Sequence, residues 1–285
     1  MSESRRKPSL VLPRIDFLGH DLPKLIVGGN PLSGNSHHSA AKDVWLHRFF
    51  TPERTVEFLE SCVAHGIDCV QARADRHMTE ILASYWNKNG RGLRWIAQSV
   101  GGVDGTEACI RRVAELGAIG CYIHGGLTEK LTDFQSRAII RVPDWVALIK
   151  DLGMAAGIAC HNPEVLRIAE ERSYGAQFYM QSINPVAYFA IADVELISRA
   201  IRECPRPVLA FKILGAGRVA PREAFAFALE RIKPSDGVIV GMSQFEEIEE
   251  NSRLVTELVT GERVWSDWAA AWVRESSAYE WEPAS

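Results

Sequence analysis

No stretch of the 285 residues approaches the roughly 18–20 consecutive apolar residues needed to cross a bilayer. The opening Met1-Ser-Glu-Ser-Arg-Arg-Lys-Pro8 carries basic side chains with no apolar region behind them, so it does not read as a secretory signal. Charge of one sign is also scarce. Thirty-two Lys and Arg stand against 36 Asp and Glu, a net charge of −4, which argues against gripping a nucleic-acid backbone. The six cysteines (Cys62, Cys69, Cys109, Cys121, Cys160 and Cys204) include no Cys-x-x-Cys pair. Several lie inside apolar runs, so they read as reduced, buried thiols of a cytoplasmic protein with no membrane partner. No linker and no shift of composition divides the chain. Apolar residues are plentiful at 47%, which excludes disorder as the main state.

Buried parallel strands read as short, nearly continuous apolar runs. Such runs occur at Lys24–Gly29, Gly66–Gln71, Leu93–Gln98, Ile119–His124, Ala155–Cys160, Ala176–Gln181, Pro207–Lys212 and Gly237–Met242. The gaps between them carry helix signals. Thr51-Pro-Glu53 is an N-cap followed by proline and an acidic first turn, and Gly66 closes that segment. Pro143–Gly153, Asn162–Glu170, Pro221–Leu229 and Glu246–Val255 read as further helices. Eight β-then-α units predict an α/β fold, a (β/α)₈ TIM barrel, over residues 22–260. A doubly wound open sheet usually needs fewer strands. Residues 1–21 read as a tail with a hairpin against the barrel floor. Residues 261–285 form an extension holding Trp265, Trp268, Trp272 and Trp281. The first three share one helical face, which suits a helix packed on the wall, a cap, or a homo-oligomer interface. Residues 125–142 are polar with no helix signal before Pro143, and read as a lid or an ordered surface loop.

In barrels of this kind the reactive groups sit at the C-terminal strand ends and in the loops after them. That rule brings Asn30, Arg73, Asp75, His77, Gln98, His124, His161, Gln181, Lys212 and Arg218 to one rim, with His37 and His38 in a polar loop beside them. Asp75, His77, His124 and His161 are expected to act catalytically. They are donors of the kind that hold Zn²⁺, Mn²⁺ or Fe²⁺, or else metal-free acid–base groups. Arg73, Lys212, Arg218, Asn30, Gln98 and Gln181 are expected to bind substrate. Lys212 could form a Schiff base if desolvated. An anion-binding role with Arg218 is preferred, because the turn Gly215-Ala-Gly217 would offer backbone N–H groups.

Several segments together resemble the aldo-keto reductase superfamily, over about residues 22–258. They are Leu25-Ile-Val-Gly-Gly-Asn-Pro31, His65-Gly-Ile-Asp68, Tyr122-Ile-His124, Gly157-Ile-Ala-Cys-His-Asn-Pro-Glu-Val165, Phe211-Lys-Ile-Leu-Gly-Ala-Gly217 and Val240-Gly-Met-Ser-Gln-Phe-Glu-Glu-Ile-Glu-Glu-Asn251. The resemblance implies a barrel and an NAD(P) site that would use Gly215, Gly217, Ser243, Glu250 and Asn251. It does not extend to the family's Asp, Tyr, Lys and His set. Gln71 stands at the Asp position, Arg76 or His77 at the Tyr position and Ser99 at the Lys position, and only His124 matches. Glu247 stands where NADP-binding members often place arginine, and a carboxylate there would repel a 2′-phosphate.

Three functions follow as expectations. The first is a non-redox enzyme (lyase, isomerase or hydrolase) acting on a small polar anionic substrate. The second is a nicotinamide-dependent oxidoreductase with an atypical proton donor. The third is a non-catalytic barrel that binds a ligand or a partner.

Overall fold

The computed structural model describes residues 11–262. The tryptophan-rich stretch, with Trp265, Trp268, Trp272 and Trp281, lies outside the described residues.

A short antiparallel hairpin comes first, β1 (Arg14–Phe17) with β2 (His20–Pro23). Eight parallel strands follow: β3 (Leu25–Gly28), β4 (Cys69–Arg73), β5 (Arg94–Gln98), β6 (Gly120–Ile123), β9 (Ala155–Cys160), β10 (Phe178–Ser182), β11 (Val208–Phe211) and β12 (Gly237–Gly241). They close into a barrel in chain order, with β12 pairing back onto β3. The (β/α)₈ architecture expected from the apolar runs is therefore the observed one. The second strand starts later than its apolar run. Gly66 at φ +84° and Ile67, whose N–H donates to Cys62 O, first close the preceding helix.

Helices α2 (Pro52–Ala64), α3 (Arg76–Asn89), α4 (Gly102–Glu115), α6 (Val142–Asp151), α7 (Pro163–Glu171), α8 (Val194–Glu203), α9 (Pro221–Arg231) and α10 (Phe245–Thr260) surround the barrel. Thr51 caps α2 by accepting from Arg54 N–H, and Asn162 caps α7 by accepting from Glu164 N–H. An additional helix, α1 (Ala40–Phe49), follows β3 and is capped by Ser39. Residues 125–142 depart from the expected irregular segment. They hold α5 (Gly125–Lys130) and a two-stranded hairpin, β7 (Thr132–Asp133) with β8 (Ala138–Ile139).

Alternation along the strands sends one set of side chains inward and the other toward the helices. Ile26, Cys69, Ile96, Tyr122, Ala159, Phe178, Met180, Leu209 and Ile239 form the inner core, and Ile15, Phe17 and Leu22 of the hairpin join it from below. Phe17 and Phe178 meet edge-on with centroids 5.0 Å apart. Gly157 is required by that packing, since a Cβ there would stand 2.3 Å from the Phe178 ring. With the floor closed by apolar side chains, the upper end is left for polar chemistry.

Candidate active site

The top of the barrel interior is a closed polar relay. Gln71 donates to the Tyr122 hydroxyl at 2.6 Å, and that hydroxyl donates to Gln98 at 3.0 Å. Burial drives the Tyr122 phenol well above its ordinary range, and at 2% exposure the phenol is sealed from the mouth. Gln98 is thereby committed to Tyr122. Gln181 does not face the mouth either: it is fully buried, donates to the carbonyls of His161 and Ser182, and accepts from the Cys160 thiol. Its place on β10 turns it toward the helical layer.

Above this relay, β9 and α5 build an imidazole–carboxylate pair. His161 follows β9, and its Nδ1 lies 3.1 Å from Glu129 Oε2 on α5. Glu129 also accepts from the backbone N–H groups of His161 and Asn162. Burial alone would raise the Glu129 carboxyl, but these donors outweigh it and hold the group below its usual value. An ionised Glu129 makes Nδ1 the protonated nitrogen and leaves Nε2 as the basic one. The sequence favours this packing through Gly125 and Gly126, where a Cβ would come within 3.2 Å of His161 Cε1 and of His124 Cε1, respectively.

Lys212 lies directly beyond β11, in a left-handed backbone conformation at φ +61°. Its Nζ is 4.4 Å from the centre of the Phe189 ring and 5.9 Å from those of Tyr188 and Phe211. Among the described residues no acceptor or carboxylate pairs with it, and burial lowers its ammonium to about 8. The same aromatic rings hold the imidazoles. His161 sits 5.7 Å from Phe189 and 5.5 Å from Phe211, and His37 sits 5.9 Å from Phe189. His37 also contacts Asn30 Nδ2 at 3.1 Å, and its carbonyl accepts from the Tyr188 hydroxyl. Partial burial, then Lys212, depresses His37, while burial, His161 and Arg73 depress His124. Both are thus neutral near pH 7. A cavity of about 170 Å³ opens beside this group, lined by Asn30, His37, Gln71, Phe211, Lys212 and Ser243 among others.

The expected four-residue metal set does not assemble. Asp75 is the N-cap of α3, accepting from Met78 N–H, and pairs with Arg73 at 3.2 Å. His77, in the first turn of that helix, contacts Leu32 O at 3.2 Å. His161 is tied to Glu129 instead. Among the described residues no three His, Cys, Asp or Glu side chains group so as to hold a metal ion. Asp75 and His77 are thus each engaged by the fold at the edge of the mouth.

The nicotinamide set fits no better. Gly215 and Gly217 direct their N–H groups to Lys212 O and Leu214 O, so these two amides are spent within the turn. Arg218 lies over Tyr188 at 4.0 Å and donates to Gly215 O. The N–H groups of Ser243 and Gln244, at the start of α10, are taken by the Glu247 carboxylate. The amides at this helix start are thereby occupied by an internal anion. Asn251 is 2% exposed, and its Oδ1 has no partner.

Glu129, Tyr188 and Phe189 were not among the expected site residues. Glu129 lies in a segment without a sequence-level helix signal. The aromatic pair lies in an extended loop after β10, where rings read as ordinary surface or core.

No family model matches this chain, and no curated protein matches it in sequence. Solved structures do resemble it. A Pseudomonas aeruginosa protein provisionally described as an aldo-keto reductase superposes with a TM-score of 0.64 at 16% identity, covering 90% of this chain and 99% of that one. A truncated 3-deoxy-D-arabino-heptulosonate 7-phosphate synthase from Thermotoga maritima gives 0.56 at 14% identity, with 87% and 91% covered. Orotidine 5′-monophosphate decarboxylase from Methanocaldococcus jannaschii, complexed with an inhibitor, gives 0.52 at 13%, with 83% and 98% covered. At such identities what is shared is the barrel, and it is a barrel found in enzymes of several kinds.

Proposed function

We propose that this chain is a non-redox enzyme acting on a small, polar, anionic molecule at the C-terminal mouth of its barrel. One observation carries the reading. An unpaired, partly desolvated cation, Lys212, shares the rings of Phe189 and Phe211 with a carboxylate-oriented imidazole, His161. A buried cation without a counter-ion is costly unless an anionic group completes it. The His161–Glu129 pair is the acid–base unit: Glu129 fixes the tautomer, and Nε2 takes or returns a proton. Neutral His124 and His37 can accept or donate hydrogen bonds without adding positive charge. Arg73 supplies a second cation at the rim. Lyase and isomerase chemistry, in which a proton moves beside a carbonyl, matches this set better than hydride transfer does. The Tyr122 phenol is sealed, the Tyr188 phenol donates to the His37 carbonyl, and the amides of Gly215, Gly217, Ser243 and Gln244 are already paired. The names of two similar barrels include phosphorylated small molecules, which agrees with an anionic substrate.

The test is proton exchange in D₂O. Small 2-oxo acids and sugar phosphates are incubated with the protein, and deuterium entry beside the carbonyl is followed by NMR. At least one compound should exchange, and His161→Gln should slow it by about 10²–10⁴-fold. Exchange that is equal in both proteins, or absent from the whole panel, overturns the reading.

A further inference from the structure

We infer that Lys212 is a covalent site, its amine forming an imine with the carbonyl of a small anionic aldehyde or 2-oxo acid. The inference rests on the proposed function and specifies its substrate class.

Three features of the geometry carry it. The amine lies at a strand end facing the mouth cavity, where a substrate can reach it. It lacks the ion pair that holds most lysines, since its surroundings are the rings of Phe189, Tyr188 and Phe211. Its backbone occupies the left-handed region, which a β-carbon-bearing residue adopts only where the surrounding structure imposes it, and such strain gathers at functional positions. The lowered ionisation agrees with this, because an amine near 8 exposes far more free base at neutral pH than one near 10.5.

Lys24 shows what a merely buried lysine looks like. It too is lowered to about 8 by burial, yet its ammonium donates to the carbonyls of Lys233 and Pro234 beneath the barrel, and it is 5% exposed. Lys212 has the same ionisation without the hydrogen bonds.

The step balances without an oxidant or reductant. The Nζ lone pair forms a bond to the carbonyl carbon as the C=O π pair moves to oxygen, which takes a proton. The resulting carbinolamine loses its hydroxyl as water after a second protonation, while the nitrogen lone pair closes the C=N bond. Nitrogen gives up the protons that oxygen gains. His161 Nε2, beside the same rings, is the group that carries them. In the iminium form the nitrogen is an electron sink for a carbanion at the neighbouring carbon, which is what a lyase or isomerase requires.

The experiment uses the full chain and limiting formaldehyde with cyanoborohydride at pH 7, with each lysine followed by peptide mass mapping. Formaldehyde reaches any open amine and reacts through the same imine. Lys212 should be modified at least tenfold faster than the exposed Lys130 and Lys150, because its free-base fraction at pH 7 exceeds that of an ordinary lysine by about 10²-fold while the surrounding rings slow access, and Lys24 should lag. Repeating the reaction with glyoxylate, an anionic aldehyde, should increase the preference for Lys212. Lys212→Arg, which keeps the charge, should abolish the fast site. If Lys212 reacts no faster than Lys130 and Lys150, the covalent role is overturned, and the acid–base reading is then judged by proton exchange alone. A fast reaction with formaldehyde and no added preference for glyoxylate upholds the amine and overturns the anionic substrate class.

Discussion

Burying Lys212 without a partner has a thermodynamic consequence that can be measured. Its ammonium is lowered from 10.5 to about 8 in the folded chain. The unfolded chain therefore binds more protons between those values, and stability rises with pH across that window. Below pH 8 the full penalty applies, with an upper bound of about 3 kcal/mol, because each tenfold change in the ionisation equilibrium is worth about 1.4 kcal/mol. Lys212→Met should accordingly raise the unfolding free energy at pH 7 and give little gain at pH 10.5, as read by urea denaturation at both values. Activity in the proton-exchange assay should be lost in the same variant, the usual exchange of stability for function at a site. A gain over the parent no larger at pH 7 than at pH 10.5 would show that the ammonium is solvated. Tyr122 makes the contrasting case. Its buried hydroxyl gives and receives one hydrogen bond each with Gln98 and Gln71, so this polar group is neutral and satisfied. Tyr122→Phe should cost about 1–3 kcal/mol by leaving both carboxamides short of a partner, and should leave proton exchange in place.

At the scale of elements, α10 is the clearest device. Glu247 folds back from the first turn to accept from Ser243 and Gln244, while the Gln244 side chain completes a capping box. The helix thus carries its own anion at its N-terminus. Glu247→Ala should cost about 0.5–2 kcal/mol, as loss of a cap does. Inorganic sulfate should then raise the melting temperature of the variant more than that of the parent, since the amides are freed. Equal sulfate responses in the two proteins would mean that Glu247 does not shield these amides. Helix α5 has a parallel part in the mouth. Its Gly125-Gly126 start lets two imidazoles lie against it, and its Glu129 reaches the chain after β9. The neighbouring β7–β8 hairpin is fastened to α7 by Arg137, which pairs with both Glu164 and Glu171.

For the molecule as a whole, the barrel separates stability from chemistry along its axis. The floor is closed by Ile15, Phe17 and Leu22, while every group invoked in the mechanism lies at the other end. All six cysteines are buried, and none lies in the mouth cavity. Burial pushes their thiols upward, Cys204 to about 11, and Cys62, Cys69, Cys121 and Cys160 well above the ordinary thiol value. The native protein should therefore react with none of its thiols on the timescale of a standard disulfide-exchange reagent. All six should react once guanidinium unfolds it, and alkylation in the native state should leave activity unchanged. One fast native thiol would contradict this packing.

The barrel was legible because its signal is local and repeated. Each apolar run is a strand buried on both faces, Thr51-Pro52 and Asn162-Pro163 are helix starts, and eight such units have few ways to pack. The rim was legible as a collection, since every residue after a strand end must lie there. What the sequence could not distinguish was which rim residues are spent on the fold. Asp75 and His77 sit two residues apart and resemble ligands, yet one is a helix cap and the other contacts a carbonyl 45 positions away. Lys212, His161 and Glu129 are separated by up to 83 positions and meet only because β11, β9 and α5 converge on two phenylalanine rings. Periodicity and capping act between neighbours in the chain, so sequence alone determined the eight barrel strands, several of their helices and their order. Charge pairing and desolvation act through space, so only the closed barrel decided which cation lacks a partner and which imidazole has a carboxylate behind it.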